Sequence, residues 1–313
     1  LDIYFVNGAA SVPETGPPNQ LYRNEGNGKF REVTSESGAG DTGFGVAVAA
    51  ADIDADGDID LFLANNGPDV LLINQGDGTF RRGGAEYGIA DTNMAGGAAF
   101  GDYDRDGLPE LYVSNYVDVA EFVEGGRGGP FCKWKGMTVG CGPRGLTGDP
   151  DRFYRNVGGR FEEASDEVGI TLSDASYGLG ILFVDLTADG LPDIYVANDS
   201  LANFFYVNEG DGTFSEEGLM RGVAYSGDGL EQAGMGVDAA DVDGDGDYDL
   251  VVSNFSHDHT SLYLNRGEGF FTDVSYPSGI GKSTYFPLTW GARFLDLDSD
   301  GAVDLFLVNG HIY

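Results

Sequence analysis

The stretch Asp52-Ile53-Asp54-Ala55-Asp56-Gly57-Asp58-Ile59-Asp60-Leu61-Phe62-Leu63 decides how this 313-residue chain is read. Acids occupy its odd positions from one to nine, a glycine sits at position six, and an apolar run follows. The pattern returns from Asp102 to Val113, from Asp185 to Val196, from Asp241 to Val252 and from Asp296 to Leu307. Successive starts lie 50, 83, 56 and 55 residues apart. Self-similarity at a period of this size marks a repeat architecture, and the long interval holds an insertion of about 30 residues.

A second motif follows each of the first four copies: Leu72 to Phe80, Phe153 to Phe161, Phe205 to Phe214 and Leu262 to Phe270. The opening segment Leu21 to Phe30 is another copy, preceded by Asp2-Ile3-Tyr4-Phe5-Val6-Asn7, which matches the tail of the acidic motif. Within one repeat, the small-residue run Gly45 to Ala51 suits a tightly packed strand. Ile59 to Ala64 and Val70 to Asn74 read as strands, and Gly76-Asp77-Gly78 turns the chain into a fourth at Thr79 to Arg81. No repeat sustains helical periodicity. Four short antiparallel strands per repeat predict an all-β fold, a β-propeller of four-stranded blades with calcium-binding hairpin loops.

The expected boundaries are one propeller domain, 1–313, with full blades at 41–91, 92–171, 172–226 and 227–283. Partial blades occupy 1–40 and 284–313, and the insertion, about 116–152, falls in the second full blade. Joining the two partial blades would duplicate a second strand, so the chain reads as an excerpt of a longer ring.

Calcium is a hard cation that takes six to eight oxygen ligands, and a nine-residue acidic loop with a glycine at its tightest turn supplies them. In the first loop the ligands are Asp52, Asp54, Asp56 and Asp60, with the Asp58 carbonyl. The second offers Asp102, Asp104, Asp106, Glu110 and the Leu108 carbonyl. The fourth offers Asp241, Asp243, Asp245, Asp249 and the Asp247 carbonyl, and the fifth Asp296, Asp298, Asp300, Asp304 and the Ala302 carbonyl. The third departs from the pattern: Asp185, Thr187, Asp189, Asp193 and the Leu191 carbonyl carry one charge fewer, which predicts the weakest site. Position twelve is Leu63, Val113, Val196, Val252 or Leu307, never the bidentate glutamate of an EF-hand. A single copy would read as a solvated Asx turn. Five copies with acids held at positions one, five and nine stack carboxylates at a cost that a cation relieves. Magnesium, with its stricter geometry, suits these loops less well. The expectation is about five calcium ions and calcium-dependent stability.

Composition agrees. Lys and Arg number 17 against 52 acids, a formal charge of −35, which excludes nucleic acid and anionic lipid as partners. Hydrophobic residues make up 41%, enough for a packed core rather than a disordered acidic chain. No apolar run approaches the roughly 20 residues needed to span a bilayer, so membrane insertion is not expected.

With these residues in view, the chain resembles the FG-GAP/VCBS repeat superfamily, the repeats of integrin α-subunit propellers. More narrowly, it resembles bacterial relatives of the cartilage acidic protein (ASPIC and UnbV) family. The carriers are the acidic loops, Leu21-Tyr22-Arg23-Asn24, Cys141-Gly142-Pro143-Arg144-Gly145-Leu146, Tyr195-Val196-Ala197-Asn198-Asp199, Gln232-Ala233-Gly234-Met235-Gly236, Trp290-Gly291 and Asn309-Gly310-His311. The resemblance implies an exported, calcium-loaded ring of about seven blades, usually followed by a separate C-terminal domain. It implies neither catalysis nor a common ligand.

Cys132 and Cys141 are the chain's two cysteines, and their closeness within the insertion suggests a loop-closing disulfide in an oxidising compartment. Two free thiols are the alternative. The insertion also carries Arg127, Lys133, Lys135 and Arg144, a basic island that reads equally as a partner site or as a cap on the ring. His257-Asp258-His259 lacks an evident third ligand for a transition metal. Gly279-Ile280-Gly281-Lys282-Ser283 fails as a phosphate loop, because Tyr276 stands where the leading glycine belongs.

Two functions follow. The first is a secreted, periplasmic or cell-surface adhesion or protein-binding scaffold stiffened by calcium. The second is a carbohydrate-binding or carbohydrate-active propeller using scattered aromatic residues such as Trp134, Tyr177, Tyr285 and Trp290. No nucleophile–base pair stands outside the repeated acids, so an enzyme is not expected. The partner, protein or glycan, and the oligomeric state are not written in the sequence.

Overall fold

The computed structural model describes residues 1–8, 16–118, 132–134, 136–139, 142–170 and 176–310. The fold is all-β, a fan of antiparallel sheets arranged as propeller blades. The first complete blade runs in chain order through Phe44–Ala51, Asp60–Asn66, Val70–Asn74 and Phe80–Gly83. The second uses Ala95–Gly101, Glu110–Asn115, Arg152–Asn156 and Phe161–Glu163. The third uses Gly178–Val184, Asp193–Leu201, Phe204–Asn208 and Phe214–Glu216, and the fourth Gln232–Ala240, Asp249–Asn254, Ser261–Asn265 and Phe271–Asp273. Three strands between Ile3 and Glu32 precede them, and the pair Thr289–Leu295 and Asp304–Asn309 follows. The end of Asp193–Leu201 also pairs with the start of Gln232–Ala240, stitching the third and fourth blades together.

The second strand of each complete blade explains why blades stack. Its side chains alternate between faces, and both faces are buried. Leu61 and Leu63 pack with Leu21 and Val33 of the preceding sheet. Phe62 and Ala64 pack the other way, against Leu111, Val113, Tyr154 and Phe161 of the second blade. The alternation repeats at the next joint, where Tyr112 and Phe153 meet Ile194, Val196, Tyr206 and Phe214. Tyr195 and Phe205 then meet Leu250, Val252, Tyr263 and Phe271. Each large side chain buried this way contributes about 1.5–3 kcal/mol, so a blade alone would forfeit both of its cores.

Near the propeller axis the first strands approach so closely that side chains are excluded. A Cβ on Gly236 would lie 2.7 Å from the Trp290 carbonyl oxygen, and one on Gly96 would overlap the Gly178 carbonyl. The register of the first strand shifts at this level in every blade, between Gly45 and Ala47, Ala95 and Gly97, Gly178 and Gly180, Gly234 and Val237, and Thr289 and Gly291. A bulge sharpens the local twist and turns the strand along the axis.

In the first complete blade the expected and observed strands differ by a residue or two at their ends; the second strand runs on to Asn66 because Phe44 and Gly45 still pair with it. In the insertion, Cys132–Trp134 and Met137–Val139 form a hairpin. Cys141 lies outside the described residues, and so does the expected Cys132–Cys141 disulfide, together with Arg127 and Lys135. Among the described residues no helix is long and apolar enough to cross a membrane.

Candidate metal centres

Each acidic loop joins the first strand of a blade to the second, so all five emerge on one side of the fan. The loops share a backbone design. The position-one carboxylate accepts the N–H of the position-six glycine: Asp52 from Gly57 at 2.9 Å, Asp102 from Gly107 at 3.0 Å, Asp185 from Gly190 at 2.7 Å, Asp241 from Gly246 at 3.0 Å and Asp296 from Gly301 at 2.9 Å. Gly57 and its counterparts Gly107, Gly190, Gly246 and Gly301 have φ between +88° and +97°, a conformation that side chains resist. The position-five acids Asp56, Asp106, Asp189, Asp245 and Asp300 each accept the N–H of position seven, closing an Asx turn. The chain is thus folded back around its own carboxylates before any ion is considered.

The position-nine acid begins the second strand and is buried in the complete blades, at Asp60, Glu110, Asp193 and Asp249. One of its oxygens accepts the position-two N–H, and the other accepts the N–H of an asparagine on the third strand. Asp2 makes the same bond to Asn24, 2.8 Å, at the start of the chain. Burial pushes the Asp60 and Asp193 carboxyls up to about 6 and the Glu110 carboxyl up to about 8, with the backbone N–H bonds opposing the rise. Burial also raises Asp249, Asp54 and Asp104, and the neighbouring acids add to it.

In four loops three carboxylates offer oxygens that all lie within 4.8 Å of one another: Asp52, Asp54 and Asp56; Asp102, Asp104 and Glu110; Asp241, Asp243 and Asp249; Asp296, Asp298 and Asp300. In the second loop the Oδ1 of Asp102 is buried without a hydrogen-bond partner. A hard divalent cation fits this donor set, which is all oxygen, anionic and partly withdrawn from water. It would also reverse the electrostatics that hold the carboxyls in their raised range. Asp60, Asp106, Asp245 and Asp304 complete their loops but stand outside these closest groupings. Arg266 Nη1 lies 4.0 Å from Asp243.

His257 and His259 have different aromatic neighbours. His257 packs edge-on against Tyr285 and Phe286, whereas His259 lies against Tyr276. Arg144 of the insertion reaches across to Glu231, 3.2 Å away, ahead of the fourth blade.

One functional residue went unassigned in the sequence, although it stands in every copy of the second motif. The Asn156 side chain donates to the carbonyls of Pro109 in its own loop and Ile53 in the preceding loop. Asn208 bonds Pro192 and Tyr103 in the same way, and Asn265 bonds Tyr248 and Leu186. The invariance of this asparagine among the repeats was the available signal.

A family profile described as FG-GAP-like repeat matches residues 1–63, 52–113, 185–252 and 241–307. Cartilage acidic protein 1 of Homo sapiens is 29% identical over 150 residues, covering 47% of this chain and 21% of the human protein. The Xenopus tropicalis protein of the same name is 31% identical over 139 residues, covering 42% of this chain and 20% of its own length. The chain therefore aligns with about a fifth of each of these relatives. Among solved structures, an Agrocybe aegerita lectin that recognises non-reducing terminal N-acetylglucosamine is similar, at 18% identity and TM-score 0.46, over 97% of this chain and 73% of the lectin. Rhamnogalacturonan lyase YesW is similar at 15% identity and TM-score 0.42, over 99% of this chain and 60% of the lyase.

Proposed function

Because the chain belongs to the FG-GAP-like repeat family, we propose that it is a calcium-stabilised β-propeller acting outside the cytoplasm as an adhesion or protein-binding scaffold. The observation that carries the calcium reading is the gathering of three carboxylates within 4.8 Å in each of four loops. Unscreened, such clusters oppose folding; with an ion in place, the binding energy is realised only in the folded state and becomes stability. The extracytoplasmic setting is supported by the human relative, whose name places it in cartilage. The scaffold role is supported by the acidic loops, whose gathered carboxylates metal ligation accounts for without a catalytic role. Calorimetric titration of metal-depleted protein with calcium, alongside thermal unfolding, tests the calcium reading. Binding with a raised melting temperature supports it, and absence of binding removes it.

A second reading, saccharide binding, is favoured by one local feature. His257, Tyr285 and Phe286 form a corner of mutually edge-on rings with centroids 5.3–5.9 Å apart, and Phe286 is 73% exposed. Exposed aromatic faces beside a carboxylate, here Asp258, suit the apolar faces and hydroxyls of a sugar. A glycan array separates the two readings: saccharide binding lost in Phe286→Ala favours the second.

A further inference from the structure

The acidic loop of the third blade shares the backbone of the other four but not their chemistry. The acids at positions one and three are common to all four carboxylate groupings; the third blade keeps the first as Asp185 but lacks the second, which is Asp54, Asp104, Asp243 or Asp298 elsewhere and is exposed at the loop surface. The third blade holds Thr187 there, turned inward and buried. Its hydroxyl donates to Asp193 Oδ2 at 3.2 Å, joining the Leu186 N–H at 2.9 Å and the Thr187 N–H at 3.1 Å on the same oxygen. The matching oxygens of Asp60, Glu110, Asp249 and Asp304 each accept one backbone N–H from the loop. A carboxylate offers about four lone-pair sites over its two oxygens. Three donors therefore saturate Oδ2 of Asp193, while Oδ1 accepts the Asn208 N–H as its counterparts do in the other loops.

A second contrast is independent of hydrogen bonding. The space above the position-six glycine is open at Gly57, Gly107, Gly246 and Gly301. At Gly190 it is filled by the guanidinium of Arg105 from the second blade, whose Cζ would lie 3.4 Å from a Cβ there. The guanidinium of an exposed arginine therefore stands beside this loop and adds positive charge where the ligand set is already one carboxylate short.

We propose that the loop of the third blade is a cation-free copy, with the inward hydrogen bond of Thr187, helped by the positive charge of Arg105, doing what calcium does in the other loops. This rests on the calcium reading of those loops and, if it holds, gives four ions in the intact loops in place of the expected five. The test counts bound calcium per chain by native mass spectrometry and equilibrium dialysis on the 313-residue protein. Asp54→Asn, Asp104→Asn, Asp243→Asn and Asp298→Asn should each lower the count by one. Asp189→Asn should leave it unchanged, and Thr187→Asp should raise it by one. A loss of one ion in Asp189→Asn overturns the proposal, as does a folded Thr187→Asp with no gain. Should Thr187→Asp fail to fold, the Asp189→Asn count alone decides. A wild-type chain that binds no calcium removes the calcium reading itself, an outcome separate from either.

Discussion

The side-chain amide of Asn156 donates to the carbonyl of Ile53 at 2.8 Å, across the joint between the first and second blades. The same bond recurs from Asn208 to Tyr103 and from Asn265 to Leu186, both at 2.9 Å. The acidic loops that open at Asp52, Asp102 and Asp185 are thus each held by their own blade through position nine and by the next blade through position two.

Cutting one of these clamps should cost both stability and metal affinity. Asn208→Ala leaves the Tyr103 and Pro192 carbonyls without their donor, a loss of about 1–3 kcal/mol. Urea unfolding should show a lower midpoint at unchanged slope, and calorimetry a weaker site at Asp102. Asn74, whose amide bonds Ile59 within its own blade, should tolerate alanine better.

Calcium removal should lower the melting temperature in proportion to the number of occupied loops. At free calcium a hundredfold above its dissociation constant, each site adds about 2.7 kcal/mol. Differential scanning calorimetry with and without chelator reads the sum, and an identical pair of traces would contradict it.

Close packing at the axis predicts a steric penalty. Gly236→Ala brings a methyl to 2.7 Å from the Trp290 carbonyl oxygen and 3.1 Å from Gly291 Cα, both backbone atoms that cannot step aside. A destabilisation of about 1–3 kcal/mol is expected. Gly142→Ala, with open space around the new methyl, should stay within about 0.5 kcal/mol of wild type.

Asp151 predicts a pH dependence away from the metal loops. It is buried, accepts the Tyr112 hydroxyl at 2.7 Å and the Asn115 N–H at 2.9 Å, and burial pushes its carboxyl up to about 6. The folded value lies above the unfolded one, so its stabilisation is complete below the ordinary carboxylate range and is lost as pH rises through about 6. Asp151→Asn should match wild type near pH 4 and exceed it by up to about 3 kcal/mol near pH 7.5, measured by denaturant unfolding at each pH. Asn203 already occupies this place in the third blade, its oxygen accepting the Asn198 N–H.

What could be read in advance follows from how far each signal reaches along the chain. The acidic loops and strand order were legible because nine adjacent residues carry a complete hairpin. The asparagine clamp was visible as a repeated letter but not as a contact, since Asn208 and Tyr103 are 105 positions apart. The axial glycines were hidden in small-residue runs such as Gly234-Met235-Gly236, because what they avoid belongs to another blade. Thr187 stood out as a missing charge. Its inward hydrogen bond and the arrival of Arg105 were not readable, because both depend on how the loop sits against its surroundings.

The clamp also bears on descent. Each complete repeat carries both residues the joint uses, an asparagine on its third strand and a position-two carbonyl in its acidic loop. A tandem duplication of one repeat would therefore create a compatible seam at once, with no second mutation needed. A lineage of such proteins could lengthen or shorten by whole blades while the ligand set of each loop drifted on its own, as the exchange of an acid for Thr187 illustrates.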